Sequence, residues 1–345
     1  MMRRQLALVL TVAAGCGSPV PLPTSPPGPP PDPPPSAADL EGLWTGSAGS
    51  SAILRLAPGQ LVLSGDLEPA STLTTPSTLL STLFGIAFDS GGTLWVSSAD
   101  YSALLAFSPA SLARRGTVPA TTVIAQHRGS LNAPTGLAFD RVQRLWVANH
   151  ENGTLVRYDP EQLAVSGAPA PAVVVSGLGH PTALAFDASG SLWVTDNLAA
   201  TVSGYRPEQL TASGSPAPAV VLSAVAGSLL QPAGLAFDAS GNLWIANIGG
   251  ATLVAFTPAQ LATTGSPVPA VVLRTRSSAV GVPLGLAFDG GGGLWVSGAP
   301  GNLVRFARND LVTGEPEPSV RIGLPDHSGL WNVAFWPAPR GLPLR

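Results

Sequence analysis

Between Pro232 and Leu273 the apolar residues fall in four short bursts separated by turn residues. Leu235-Ala-Phe237 alternates large and small side chains, as a buried inner strand does, and reads as strand a. Asp238-Ala-Ser-Gly241 supplies turn chemistry. Asn242-Leu-Trp-Ile-Ala246 reads as strand b and Thr252-Leu-Val-Ala-Phe256 as strand c. Thr257-Pro258-Ala-Gln-Leu261 has the form of a helix start: a hydroxyl N-cap, Pro at the first helical position and Gly265 ending the turn. Pro269-Ala-Val-Val-Leu273 completes the unit as an outer strand d. The same grammar returns at Ser108-Pro109-Ala-Ser-Leu112 and Asp159-Pro160-Glu-Gln-Leu163, and units this short and alike exclude a helical bundle or a doubly wound sheet.

The unit repeats. Its strand-a aromatic stands at Phe88, Phe139, Phe186, Phe237, Phe288 and Phe335, with spacings of 51, 47, 51, 51 and 47. Its strand-b aromatic stands at Trp44, Trp95, Trp146, Trp193, Trp244 and Trp295. A period of about 50 residues carrying several short strands indicates a β-propeller or a related array. The two series are out of phase: Trp44 has no Phe phrase before it, and Phe335 has no Leu-Trp strand after it. A linear stack would leave open strand edges at both ends, which invites aggregation. A ring avoids this if residues near 329–336 supply the strand missing from the blade that begins at Leu43. The predicted fold is therefore all-β: a six-bladed β-propeller over residues 39–340, closed by strand exchange between its N- and C-terminal segments.

Three columns recur across the blades. Asp89, Asp140, Asp187, Asp238 and Asp289 open the a–b turn and read as turn builders. The Trp column reads as packing between adjacent blades. The residues ending strand b are Ser47, Ser98, Asn149, Asp196, Asn247 and Gly298. With one carboxylate in six they are a weak set for a metal, and short polar side chains here are expected to bond the backbone of the b–c turn.

A functional site is expected where the repeats stop agreeing. The a–b and c–d loops are nearly uniform, whereas the b–c and d–a loops vary and share one face of a four-stranded blade. All four histidines fall there, His127, His150, His180 and His327, with Asp100, Glu151, Asp326, Arg128, Arg274 and Arg276. The loop carrying His180 is shorter than its neighbours, which sets it low at the channel mouth. Strand a begins with Phe84, Thr135, Thr182, Ala233, Leu284 and Trp331, a mostly apolar rim of the kind that lines small-molecule sites. The candidate ligand-binding residues are His150, His180, Asp196, Asn149, Asn247 and His327. No nucleophile–base pair, phosphate loop or His-rich metal motif stands out, so no catalytic residue and no cofactor is assigned.

Composition adds an address. Of 345 residues, 45% are hydrophobic and 11% charged, and the 17 basic residues are all Arg, for a net charge of −3. Without a basic run or an aromatic groove, nucleic-acid binding is not expected. Arg3 and Arg4 precede the apolar run Leu6–Ala14, which is too short to span a bilayer and shaped like the core of a signal peptide. Val12-Ala-Ala-Gly-Cys16 closes that run, and Cys16 is the only cysteine, so no intramolecular disulfide forms. The segment resembles a bacterial lipobox, which implies a signal peptide over 1–15, a lipidated Cys16 and membrane attachment, at the outer membrane or cell surface. Residues 19–35 contain eleven prolines. In polyproline II such a tether, within 16–38, extends about 3 Å per residue. The propeller is expected to be a monomer.

Pro134-Thr-Gly-Leu-Ala-Phe-Asp140 with Leu145-Trp-Val-Ala-Asn149, and Pro232-Ala-Gly-Leu-Ala-Phe-Asp238 with Leu243-Trp-Ile-Ala-Asn247, resemble NHL repeats. That resemblance covers residues 40–337 and implies a propeller without fixing a function. The Leu-Trp-Val phrase is also similar to that of streptogramin (virginiamycin B) lyases, which implies a seven-bladed ring with magnesium and catalytic His and Glu. Only the blade phrase has a counterpart here. Gluconolactonase-type propellers, which hold a divalent metal with Glu, Asn and Asp, place an Asp near where Asp196 stands; the matching Glu is missing, and Glu41 precedes a b strand instead. The expected function is a membrane-attached binding or scaffolding module for a protein or small-molecule ligand. The alternative is a metal-assisted lyase or lactonase on the variable face.

Overall fold

The computed structural model describes residues 37–340 and 342, apart from 224, 226 and 276–279. Arg276, Cys16 and the Pro-rich tether lie outside the described residues. Six antiparallel blades form a closed β-propeller. Blade 1 takes strand a from Leu330–Trp336 and strands b, c and d from Gly42–Ser47, Ala52–Leu56 and Ser71–Thr74. Blades 2 to 5 begin at Leu83, Pro134, Pro181 and Pro232, and blade 6 runs from Val282 to Gly323. The expected closure is present residue by residue: Leu43 pairs with Phe335, Trp44 with Ala334 and Thr45 with Val333. The last described strand of the chain is thus the innermost strand of the first blade.

Strand a starts earlier than its apolar alternation indicates, at Pro232 rather than Leu235 in blade 5. Pro232 pairs with Asn247, and the register then shifts before Leu235 meets Ile245. Proline has no N–H to donate, so it sits at the start of the strand beside an irregular step. Near this step the strand carries a glycine in four blades, where the inner strands nearly touch. A Cβ on Gly136 would lie 2.7 Å from the Ala183 Cα, and one on Gly234 would lie 2.3 Å from the Leu284 carbonyl oxygen.

The aspartate column builds the a–b turns. In blade 5, Asp238 Oδ1 accepts from the Ser240 and Asn242 N–H groups, at 2.8 and 2.9 Å. Its Oδ2 accepts from the Trp244 indole at 3.1 Å, as Asp187 does for Trp193 and Asp289 for Trp295. Blade 3 departs from this: Arg144 takes Asp140 Oδ2 at 2.5 Å, and the buried Trp146 Nε1 has no partner among the described residues. The indoles themselves join neighbouring blades. Trp44 meets Phe88, Trp193 meets Phe237 and Trp244 meets Phe288, all edge-on with centroids 5.9, 6.4 and 6.1 Å apart. Such pairs add specific geometry to a large apolar burial.

One structural device runs along the outer rim. Gly265, which the local pattern assigns only to the end of a turn, forms a parallel bridge to Leu222 in the outer strand of the preceding blade. Gly167, Gly214 and Gly314 do the same, and Gly65 and Gly116 do so within short strands. Before five of these six glycines a hydroxyl residue accepts from an outer-strand N–H, as Thr264 does for Val221 at 3.1 Å and Ser213 for Val174 at 3.0 Å, whereas Arg115 precedes Gly116. Each outer edge is thereby partly paired by the next blade, which blunts a surface open to edge-to-edge association.

Candidate functional site

The b–c and d–a loops meet around a cavity of about 430 Å³ at the mouth of the ring. Phe84, Thr135, Thr182 and Trp331 come from the starts of four inner strands. Asp100, His150, Glu151, Asn197 and Ile248 come from b–c loops, and Thr82, Ala133 and Gln231 from the ends of d–a loops. Five blades contribute, and no two contribute the same set. On the opposite face, grooves of about 220–310 Å³ recur beside Asp89, Asp140 and Asp238 at blade junctions, so they follow from the repeat itself.

Thr82, Ala133 and Gln231 hold left-handed backbone, with φ of 47°, 47° and 50°. Their carbonyls accept from Ala99, His150 and Ile248 N–H at the start of the facing b–c loops. Non-glycine residues in this region carry a cost of order 1–3 kcal/mol and persist where the surroundings fix them. Here the loop-to-loop bonds fix the rim of the mouth.

Two groups of side chains with opposite chemistry line the cavity. Phe84 and Trp331 form a T-shaped pair with centroids 4.5 Å apart. Asp100 and Glu151 are the acids. The Ser81 and Thr82 hydroxyls donate to Asp100 Oδ2 at 2.5 and 2.6 Å and hold that carboxyl below the usual carboxylate range. His150 packs on His180 with ring centroids 4.8 Å apart, and its Nδ1 is buried without a hydrogen-bond partner among the described residues.

The other candidates are placed differently. Asn149, Asp196 and Asn247 are buried at the ends of their b strands. Asn149 donates to the Ser130 carbonyl and to Thr154 Oγ1, and accepts from the Asn132 N–H. Asn247 repeats this with Ser228, Thr252 and Leu230. Asp196 accepts from Gly179, His180 and Ala199 N–H, at 2.8, 3.2 and 2.9 Å. The column therefore clasps the d–a loop onto strand b, and the expected bonds within the b–c turn are kept as well, from the Ala199 N–H to Asp196 and from the Ser50 N–H to Ser47. His327 lies 2.6 Å from Ser50 Oγ in the closing blade, and His127 reaches the Ala168 carbonyl at 3.1 Å. The structure brings His150 and His180 together and leaves His127 and His327 bonded elsewhere.

Among the described residues no three His, Cys, Asp or Glu side chains converge as a metal-binding group. Of the Glu, Asn and Asp donor types of a lactonase-type centre, the mouth holds one each, Glu151, Asn197 and Asp100, around one cavity without such a cluster.

No family model and no curated protein sequence matches the chain. Its solved neighbours share the fold. Virginiamycin B lyase from Staphylococcus aureus superposes with a TM-score of 0.53 at 12% identity, over 79% of this chain and 83% of the lyase. A streptogramin B lyase gives 0.54 at 11%, over 80% and 83%. A chain of a nidogen/laminin complex gives 0.57 at 15%, over 84% and 96%. These likenesses establish a β-propeller and nothing finer.

Proposed function

We propose that this chain is an exported, lipid-anchored binding protein whose propeller takes a small-molecule ligand at the b–c/d–a mouth. One observation carries the reading. The cavity of about 430 Å³ is lined by side chains that differ from blade to blade, while the rest of the ring repeats. Its size falls within the ordinary range for ligand sites, about 300–1,000 Å³. An aromatic pair, two carboxylates and a histidine with a buried, unbonded nitrogen supply both apolar area and orientation. The fold itself leaves function open, since its neighbours include lyases and a chain of a nidogen/laminin complex. The anchor rests on Cys16 after the apolar run Leu6–Ala14.

The test is a ligand screen by thermal shift on the full chain, repeated on Trp331→Ala and His150→Ala. Hits are expected to lose their shift in both variants and to keep it in Ser189→Ala and Ser240→Ala, which lie on the opposite face. Hits indifferent to Trp331→Ala and His150→Ala would move the site elsewhere. For the address, Cys16→Ser is expected to shift the protein from the membrane to the soluble exported fraction; unchanged membrane association would remove the lipid anchor from the reading.

A further inference from the structure

The charge of the mouth is one-sided. Its two acids, Asp100 and Glu151, stand on the b–c loops of adjacent blades. Among the described residues no arginine lines it, and the 17 basic residues of the chain are all arginine, so no lysine does either. Asp100 is fixed in place by two hydroxyl donors on one oxygen. Beside these acids the Phe84–Trp331 pair supplies aromatic surface, with each ring oriented by the other. Carboxylates next to an aromatic wall attract a cation twice, through the acids and through the negative faces of the rings. An anion in the same place meets two carboxylates and, among the described residues, no arginine or lysine, with His150 the one imidazole in the lining.

We propose that the mouth selects organic cations, namely ligands carrying an ammonium group on a compact apolar body. The proposal rests on the reading of the mouth as a ligand site and adds the class of ligand. Trp331 and Phe84 pack the alkylated nitrogen, and Asp100 and Glu151 supply its counter-charge. The Thr135 hydroxyl is directed to the carbonyls of Ala148 and Pro181, at 3.3 and 3.2 Å, which uses its one hydrogen and leaves an acceptor oxygen.

Three probes of nearly one shape separate charge from fit: choline, its uncharged carbon isostere neohexanol, and the carboxylate of tert-butylacetic acid. Each is titrated into the full chain and followed by NMR line broadening of its methyl groups. Choline is expected to bind about tenfold more tightly than neohexanol, the ratio that a desolvated cation–aromatic contact supports, and the carboxylate not to bind. Trp331→Ala should abolish choline binding. The double variant Asp100→Asn, Glu151→Gln should bring choline down to the level of neohexanol, with its melting temperature checked to show that the ring is intact. Equal binding of choline and neohexanol, both lost in Trp331→Ala, would overturn cation selection while leaving the mouth a ligand site. No choline binding, or a choline preference that survives in the double variant, would also overturn it.

Discussion

Trp295 of blade 6 meets Phe335 of the closing strand edge-on, with ring centroids 6.4 Å apart and planes at 73°. Trp244 of blade 5 meets Phe288 of blade 6 in the same way, at 6.1 Å and 67°. The joint between blades 6 and 1 is therefore built like the others, although Phe335 belongs to a blade whose strands come from opposite ends of the array.

Removing residues 330–345 takes away the strand that pairs with Gly42–Ser47 on its inner side. The truncated chain is expected to lose cooperative melting or to aggregate through the exposed edges. Trp295→Ala and Trp244→Ala should each cost about 3–5 kcal/mol in urea unfolding, as truncations of a large buried side chain do. A truncated chain that melts cooperatively at the parental temperature would contradict closure by the last strand.

Asp238 and Asp89 build the same turn but differ in one respect. Asp238 also accepts from the Trp244 indole and the Asn242 amide, whereas the buried Trp95 indole has no partner among the described residues. Asp238→Ala is therefore expected to cost about 1–3 kcal/mol more than Asp89→Ala, since it strands a buried donor that Asp89 does not serve. Urea unfolding of the two variants measures the difference. Equal losses would mean that the indole bond adds nothing to the turn.

The strand grammar, the six-fold count and the closure were legible because the Phe and Trp series are regular and offset by one strand. The variable face was legible from loop differences. The lining of the mouth was only half legible: the column from Phe84 to Trp331 marks a rim, but a column carries no information on which members touch, and Phe84 and Trp331 meet only because the ring closes. Asn149 and Asp196 read from the sequence as bonded within the b–c turn, because their further partners, the Ser130 carbonyl and the Gly179 N–H, lie on another loop. The rim role of Gly265 was hidden for the same reason, since its partner Leu222 belongs to the preceding blade.

His327 gives the ring a pH dependence of defined sign. Ser50 donates to Ser47 Oγ at 2.9 Å and Ser47 donates to the Ser328 carbonyl at 3.0 Å, which leaves the His327 Nδ1–H as the donor to Ser50. Burial lowers the pKa of His327, against the opposing pull of the Asp326 and Glu68 carboxylates. The folded chain then binds fewer protons here than the unfolded chain. Stability is full above the unfolded value, about 6.5, and falls as pH drops below it toward the folded value. Melting temperature is expected to fall less steeply between about pH 7 and pH 5 in His327→Asn than in the parent. Identical slopes would remove His327 from the account.

Asp196 separates a structural clasp from a ligand contact. It is buried, and its two oxygens accept from three backbone N–H groups on two loops. One of these is the N–H of His180, the residue that packs on His150. Asp196→Ala leaves those donors without their acceptor and is expected to cost about 2–4 kcal/mol, as removal of a charged, buried hydrogen-bond acceptor does. Asp196→Asn keeps one acceptor oxygen and should cost less. His150→Ala, by contrast, removes a half-buried ring whose Nδ1 has no partner among the described residues, and should leave the melting temperature nearly unchanged. Thermal melts of the three variants decide the matter. A stable Asp196→Ala chain that has lost ligand would return Asp196 to the binding surface, whereas a destabilised chain that still binds at low temperature identifies it as the clasp that holds the His180 loop.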